Sequence, residues 1–443
     1  MPAKIDLIGG DTRRCLLGMA LPMIAAMFLN LMYNLVDSLW IGNLLGETAY
    51  ATLTGSTPIV LMLTSAAMGV TSGVSILLSQ AVGAKDTART EGLIATSFVM
   101  TVAFSLLVTA GLELSLPLAL RALGTPAQTL RMARDYLAIY ALGYLPSTLY
   151  LYFAAVLRSF GNSLFQAAAM LTMTVLNAVL DPILIRAVGF HGAAAATLLS
   201  QVVSLAAMAL YLRRKRLFAL RLSRFTPAHI PALIQKAVPS VIQQSIPAVS
   251  TAFLTALVSG CGIPALAAYG VAGKLETILF YPAMALNMAL TAIVGQCAGA
   301  NRPDRARDYV RCALRCGCLA LALLSLGVVL SAGRLSRLFV RSAQVEAVVS
   351  AYFSIVGVGY VLNTATNCFL GALSGMGKPS RSMLLMAFYY ILVRMPLAWL
   401  LARLGFGLRG IFAAVLVSHV AACAAAAAAG TATMRRHGGR KNT

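Results

Sequence analysis

Acidic residues are scarce in this chain: 13 Asp and Glu stand against 35 Lys and Arg, and charged residues of both signs make up only 11% of the sequence. A soluble domain is about a quarter charged, so a water-facing surface of ordinary composition is excluded. Catalytic signatures are missing too. No HExxH, paired catalytic motif or cofactor fingerprint occurs, which argues against an enzyme and against a bound cofactor. The eight cysteines follow no extracellular disulfide pattern. Cys312, Cys316 and Cys318 crowd one helix start, but no histidine accompanies them, and they read as small apolar residues rather than a metal site. A cleavable leader is not expected, because the first apolar segment is too long for a signal core and lacks a small-residue cleavage site.

What is present is apolar length. Residues of hydrophobic type fill 59% of the chain, and the mean hydropathy is +0.83. Breaks of Gly, Pro and charge divide the chain into twelve apolar runs near 15–41, 51–80, 93–117, 134–157, 163–187, 191–213, 232–259, 266–297, 310–333, 347–373, 382–402 and 408–432. Each is long enough to span a bilayer as a helix. Small residues at four-residue spacing, as in Gly69-x-x-x-Gly73 and Gly371-x-x-x-Gly375, suit close helix packing.

A net charge of +22 would suggest nucleic acid in a soluble protein. Here the basic residues sit in alternate loops. The set containing both termini holds 24 of the 35, from Lys4, Arg13 and Arg14 through Arg213, Arg214, Lys215 and Arg216 to Arg435, Arg436, Arg440 and Lys441. The basicity therefore reads as topology, with both termini cytoplasmic in a bacterial or archaeal inner membrane and no nucleic-acid partner.

The chain is also a repeat. Ser79-Gln80-Ala-Val-Gly83-Ala84 recurs 216 residues later as Gly295-Gln296-Cys-Ala-Gly299-Ala300, and Arg158-Ser-Phe-Gly161 recurs as Ser374-Gly-Met-Gly377. Six spans per repeat is an even number, so both halves enter from the same side. They are then related by a pseudo-two-fold along the membrane normal, with the substrate site between them. The expected fold class is all-α integral membrane, with twelve transmembrane helices in two six-helix bundles. Residues 1–213 form one lobe, 214–231 a cytoplasmic linker and 232–443 the other lobe.

The candidate chemistry lies in the first half. Asn30, Tyr33, Asn34 and Asp37 are three or four residues apart, so they share one face of the first span. Asp37 has no basic partner in that run, and a carboxylate there should face protein or a wet cavity. In the fifth span Asn177 and Asp181 lie on one face, and Pro182 frees a carbonyl one turn back. Asp37 and Asp181 each sit about six residues from the outer end of their spans, roughly 9 Å deep. Two carboxylates at one depth, with Tyr33, Asn34, Asn177 and Thr197 near, make a cation or proton site that titrates as a unit. Na⁺ is the metal ion for which Asp37, Asn177 and Asp181 supply suitable oxygens. Asn34, Met27, Gln243 and Asn363 are the expected substrate-cavity residues, and Met19, Met23, Met32 and Phe28 are either greasy lining or packing. Glu276, two residues from Lys274, reads as a structural ion pair. Arg394 is expected to bind backbone carbonyls or to snorkel outward, and His419 to hydrogen-bond a neighbouring helix.

In order and spacing these features resemble the multidrug and toxic compound extrusion (MATE) family. They are Pro22 with the Asp37 stripe, Gln80-x-x-Gly83-Ala84 and its repeat, Arg158-x-x-Gly161, Asn177-x-x-x-Asp181-Pro182, and Gly192 to Thr197. The resemblance implies two bundles in a V around a central cavity, and antiport of drugs, mostly organic cations, against H⁺ or Na⁺. In the branch resembling the DNA-damage-inducible F proteins, the positions matching Tyr33, Asp37, Asn177, Asp181 and Thr197 form the cation site, and that of Pro22 bends the first helix. The NorM-like branch carries acidic residues on its seventh and tenth helices. This chain offers only Gln243, Gln244, Asn363 and Asn367 there, which places coupling in the first half. A lipid or lipid-linked oligosaccharide flippase of the wider superfamily is the alternative; it would favour a basic cavity. A monomer with xenobiotics and the lipid bilayer as partners completes the expectation.

Overall fold

A computed structural model describes residues 5–122, 127–215, 218, 220–340 and 342–439. Lys4, Arg216, Arg440 and Lys441 of the basic set lie outside the described residues. Helices α1 (Thr12–Leu45), α2 (Glu47–Gly83), α3 (Thr87–Ala122), α4 (Ala127–Ser159), α5 (Leu164–Val188) and α6 (Phe190–Lys215) form the first half. Two short 3₁₀ turns, Leu222–Arg224 and Pro227–His229, lead to α7 (Ile230–Ser259), α8 (Ile263–Gly299), α9 (Pro303–Ser336) and α10 (Ala343–Gly375). Most of these helices exceed 30 residues, where about 20 cross the hydrocarbon core. Their ends therefore stand clear of the apolar runs.

The eleventh span is irregular. It begins as α11 (Pro379–Ala387), widens into π-helical turns over Phe388–Arg394, continues as α12 (Met395–Leu401) and widens again over Ala402–Phe406. Gly405 and Gly407 then take φ of +86° and +55°, a conformation that costs glycine little and other residues more. The chain reverses there into α13 (Gly407–Gly439). Hydrogen bonds nest across the reversal, from Arg394 Nε to Ser418 Oγ (3.0 Å) and from Arg381 Nη1 to Thr433 Oγ1 (2.8 Å). The two stretches are antiparallel, and the protein is an all-α, twelve-span membrane protein.

The halves meet at the end that carries both termini. Leu16, Met19, Ala20 and Met23 of α1 share one core with Ala289, Ile293 and Tyr309 of α8 and α9. Beside it the repeated motifs face each other. A side chain on Gly83 would run into the Gln296 backbone, and one on Gly299 into that of Gln80. Gln80 Nε2 donates to the Gly375 carbonyl (2.9 Å), and Gln296 Nε2 donates to the Ser159 carbonyl (2.6 Å). Both donors and both acceptors are 216 residues apart, so these are one contact made twice about the pseudo-two-fold. The glycine pair of α2 also serves this junction, since Gly69 and Gly73 lie against the backbone of Val241 and Ala237 in α7.

Among the described residues the opposite ends share no core. Ile41, Ala49, Leu120 and Phe190 pack within the first half, whereas Leu254, Val258 and Ala265 pack within the second. The molecule is a V, closed where the termini lie and open at the other end.

Candidate functional site

The first half holds a buried oxygen-rich pocket between α1, α4, α5 and α6. Tyr33, Asp37, Asn177, Asp181 and Thr197 are all less than 9% exposed, Asn177 and Asp181 completely buried. Helical spacing explains the convergence: Tyr33 and Asp37 are one turn apart on α1, and Asn177 and Asp181 one turn apart on α5. Asn177 Nδ2 donates to Asp181 Oδ1 at 2.9 Å. Thr197 of α6 lies beside the Tyr33 hydroxyl, and Asp37 and Asp181 are within electrostatic reach of each other. The five residues singled out from the sequence are therefore brought together.

Four oxygens of this pocket, Tyr33 Oη, Asp37 Oδ1, Asn177 Oδ1 and Asp181 Oδ2, are buried without a hydrogen-bond partner. Unsatisfied buried polar atoms are rare in folded proteins and need a reason. Hard oxygen donors with two carboxylates suit a proton or a small hard cation such as Na⁺. Sequence reasoning missed the other wall, made by Tyr136 and Tyr140 of α4, whose rings stack at a centroid distance of 6.3 Å. Tyr136 feels both carboxylates. The signal was available as the one-turn spacing Tyr136-x-x-x-Tyr140-x-x-x-Tyr144.

α1 joins this pocket to the closed end. Its carboxyl-terminal half carries Tyr33 and Asp37, and its amino-terminal half, from Cys15 to Met23, packs on α8 and α9. Pro22 lies near the end of that packed stretch, within one continuous helix. Proline has no amide hydrogen, so the carbonyl one turn back, on Gly18, loses its helical donor. Ser163 Oγ replaces it at 3.2 Å.

A second space, of 430 Å³, opens between the halves and is lined mostly by the second half. Gln243 and Asn363 line it as expected, but Asn34 and Met27 do not. The Asn34 amide folds back onto the Asn30 carbonyl (2.7 Å), and Met27 packs on the core at the closed end. Met19 and Met23 are core residues, while Met32 is exposed. The cavity wall contains Arg158, Glu276 and Arg394.

Two expectations for these charges are corrected. Glu276 forms no ion pair with Lys274, because residues two apart point to different sides of a helix. Lys274 is exposed, with its ammonium over the Phe339 ring at 5.4 Å, and Glu276 accepts a hydrogen bond from Tyr352 at 3.0 Å. Arg394 neither binds backbone nor snorkels. It is 5% exposed, bonded to Ser418, Tyr389 and His419, and lies over the Tyr389 and Tyr390 rings at 4.7 and 4.6 Å. His419 bonds Tyr389 of the neighbouring span (2.7 Å), as expected.

A family model described as MatE matches residues 22–183 and 239–400. The chain is 26% identical over 430 residues to a protein named FAD transporter from Shewanella oneidensis, spanning 95% of this chain and 94% of that one. It is 27% identical over 423 residues to a probable multidrug resistance protein NorM of Bradyrhizobium diazoefficiens, spanning 89% and 88%. Among solved structures, an outward-facing multidrug resistance MATE family transporter superposes with a TM-score of 0.93 at 21% identity, covering 98% of each chain.

Proposed function

The chain belongs to the MATE family, and from that premise we propose that it is a secondary antiporter, exporting organic compounds in exchange for H⁺ or Na⁺ bound in the first half. Its relatives support multidrug efflux across a membrane. The observation that carries the coupling is the set of four partnerless buried oxygens on Tyr33, Asp37, Asn177 and Asp181. A proton or Na⁺ entering there offsets one of the two carboxylate charges and supplies contacts to the partnerless oxygens. Because α1 also packs against α8 and α9, a change in the pocket is transmitted to the junction that must open for alternating access. Pro22, with its replaced hydrogen bond, is the point where α1 bends at least cost.

With the basic end cytoplasmic, the V faces outward and binds the coupling ion from outside. Substrate and ion need not touch, since the cavity and the carboxylate pocket are lined by different residues. Their antagonism is a coupling free energy through the helices, equal in both directions. Organic cations remain the first substrates to test. Aromatic phosphates enter beside them, given the name of the Shewanella relative. A flippase for lipid-linked sugars would want a basic cavity; Arg158 and Arg394 partly meet that demand, but 430 Å³ matches a drug-sized molecule.

The test is dye efflux from proteoliposomes under an imposed H⁺ or Na⁺ gradient, each alone. Efflux driven by one gradient and lost in Asp37→Asn supports the reading. Efflux indifferent to both gradients would refute it.

A further inference from the structure

The two halves repeat the same frame but carry different charged groups. Tyr136 and Tyr144 of α4 recur 216 residues later as Tyr352 and Tyr360 of α10; Tyr136 feels both carboxylates of the first half, and Tyr352 lines the second cavity. In the first half the pocket holds Asp37 and Asp181, and among the described residues no basic side chain is bonded to either. The same offset of 216 to 218 residues carries these carboxylates onto Phe253–Thr255 and Leu397–Trp399, which contain no acid. The second pocket instead holds Arg394, presented by the π-helical turns Phe388–Arg394. Extra residues within a turn re-aim side chains, and such turns recur at functional sites.

The partners of Arg394 are hydroxyls and an imidazole, and among the described residues no carboxylate lies within ion-pair distance of it. A cation so deep is costly unless an anion meets it. Glu276 is near enough to act electrostatically but spends its hydrogen bond on Tyr352. Arg158, only 3% exposed, lines the same cavity; its Nη1 is bonded to the neutral Gln166, and its Nε has no partner. The cavity thus carries two buried guanidinium groups against one carboxylate. Tyr269, Phe280, Tyr281 and Tyr390 supply aromatic wall beside them.

We propose that this cavity is an acid-binding site, taking aromatic organic acids with the anionic group on Arg394 and the ring against the tyrosines. Glu276 opposes the acid and favours cations, so the pair sets charge preference within one cavity. A guanidinium fork suits carboxylate and phosphate geometry, and rings beside it add stacking. The inference rests on the exporter reading for its biological setting, but the site can be tested by binding alone.

The experiment compares two dyes with the same xanthene ring system and opposite charge, fluorescein and rhodamine 6G, by fluorescence anisotropy on purified protein. Fluorescein should bind the unaltered chain, and Arg394→Gln should weaken it about ten- to a hundredfold, the range for a charge-assisted hydrogen bond. Rhodamine 6G should be unaffected or tighter, and Arg394→Lys should restore part of the fluorescein affinity. Glu276→Gln should act in reverse, tightening fluorescein and weakening rhodamine 6G. If Arg394→Gln does not fold, Glu276→Gln decides. Fluorescein affinity unchanged in a folded Arg394→Gln, or unchanged in Glu276→Gln, would overturn the proposal. Gradient-driven rhodamine 6G efflux without fluorescein binding sinks the acid site and leaves the exporter standing. Arg394-dependent fluorescein binding without driven efflux of either dye does the opposite.

Discussion

The closed end is held by a contact made twice, and that doubling makes its strength measurable. Gln80 and Gln296 each reach from one half to a backbone carbonyl of the other, at 2.9 and 2.6 Å. Opening this end, as inward access requires, breaks both bonds. A typical protein hydrogen bond contributes about 0.5–1.5 kcal/mol net. Replacing both glutamines by leucine should therefore shift the equilibrium toward the inward-open form by about 1–3 kcal/mol, roughly 5- to 150-fold. Each single replacement should shift it by about half as much in free energy, because the two sites are related by symmetry. The readout is the distance between nitroxide labels at the exposed positions Arg89 and Arg302, which flank the two repeated motifs, in a cysteine-replaced background. A longer-distance population should grow in the order unaltered, single, double. An unchanged distribution in folded double mutant would refute the view that these bonds bias the gate.

Asp37→Asn and Asp181→Asn should each abolish gradient-driven efflux while leaving yield and monodispersity intact, whereas replacing Gln243 or Asn363 should leave ion dependence in place; efflux and size-exclusion profiles decide both. Ser163→Ala should leave the Gly18 carbonyl without its replacement donor and lower stability by about 1–3 kcal/mol, read as a fall in the thermal midpoint in detergent. Near the amino terminus, Asp6 accepts from the backbone N–H groups of Gly9 (2.9 Å) and Ile8 (3.1 Å), which hold its carboxyl below the usual carboxylate range. A depressed folded value means that its contribution is complete above an ordinary carboxylate pKa of about 4 and is lost as pH falls through the lower folded value. Asp6→Asn should thus expose this segment to proteolysis equally at pH 6 and pH 8, and the difference from the unaltered chain should vanish in strong acid.

Much of this was legible in the sequence because bilayer physics writes large patterns. Apolar runs must be about 20 residues long, intramembrane acids must be buried, and a repeat keeps its spacing. Those rules located the spans and brought Tyr33, Asp37, Asn177, Asp181 and Thr197 to one pocket. The second half resisted because its chemistry depends on departures from regular helix. A π turn leaves no periodic trace, so nothing announced that Arg394 would turn inward onto Tyr389 and Tyr390. Glu276 was misread for a related reason. Its partner, Tyr352, is 76 residues away, and such pairings are set by how helices pack, not by neighbours in the chain. Tyr136 and Tyr140 were missed because an aromatic stripe at helical spacing ordinarily marks core.

The division of charge between the halves has an electrical consequence. Exchanging one external monovalent cation for one internal monovalent cation moves no net charge. If the first half takes a cation inward and the second half carries a monovalent acid outward, two positive charges move inward per cycle. Each elementary charge crossing the full membrane potential is worth about 2.3 kcal/mol per 100 mV. An inside-negative potential of 100 mV would then drive acid export by about 4.6 kcal/mol, and one-for-one cation exchange by none. Proteoliposomes clamped with potassium and valinomycin, with equal pH and equal sodium on both sides, separate the two modes. Fluorescein, a dianion near neutral pH and so worth one further charge per cycle, should leave faster when the interior is made negative, while rhodamine 6G efflux should not respond. A fluorescein flux insensitive to potential would mean that the acid leaves as a neutral molecule or with a compensating cation, and the two pockets would then not act as independent carriers of opposite charge.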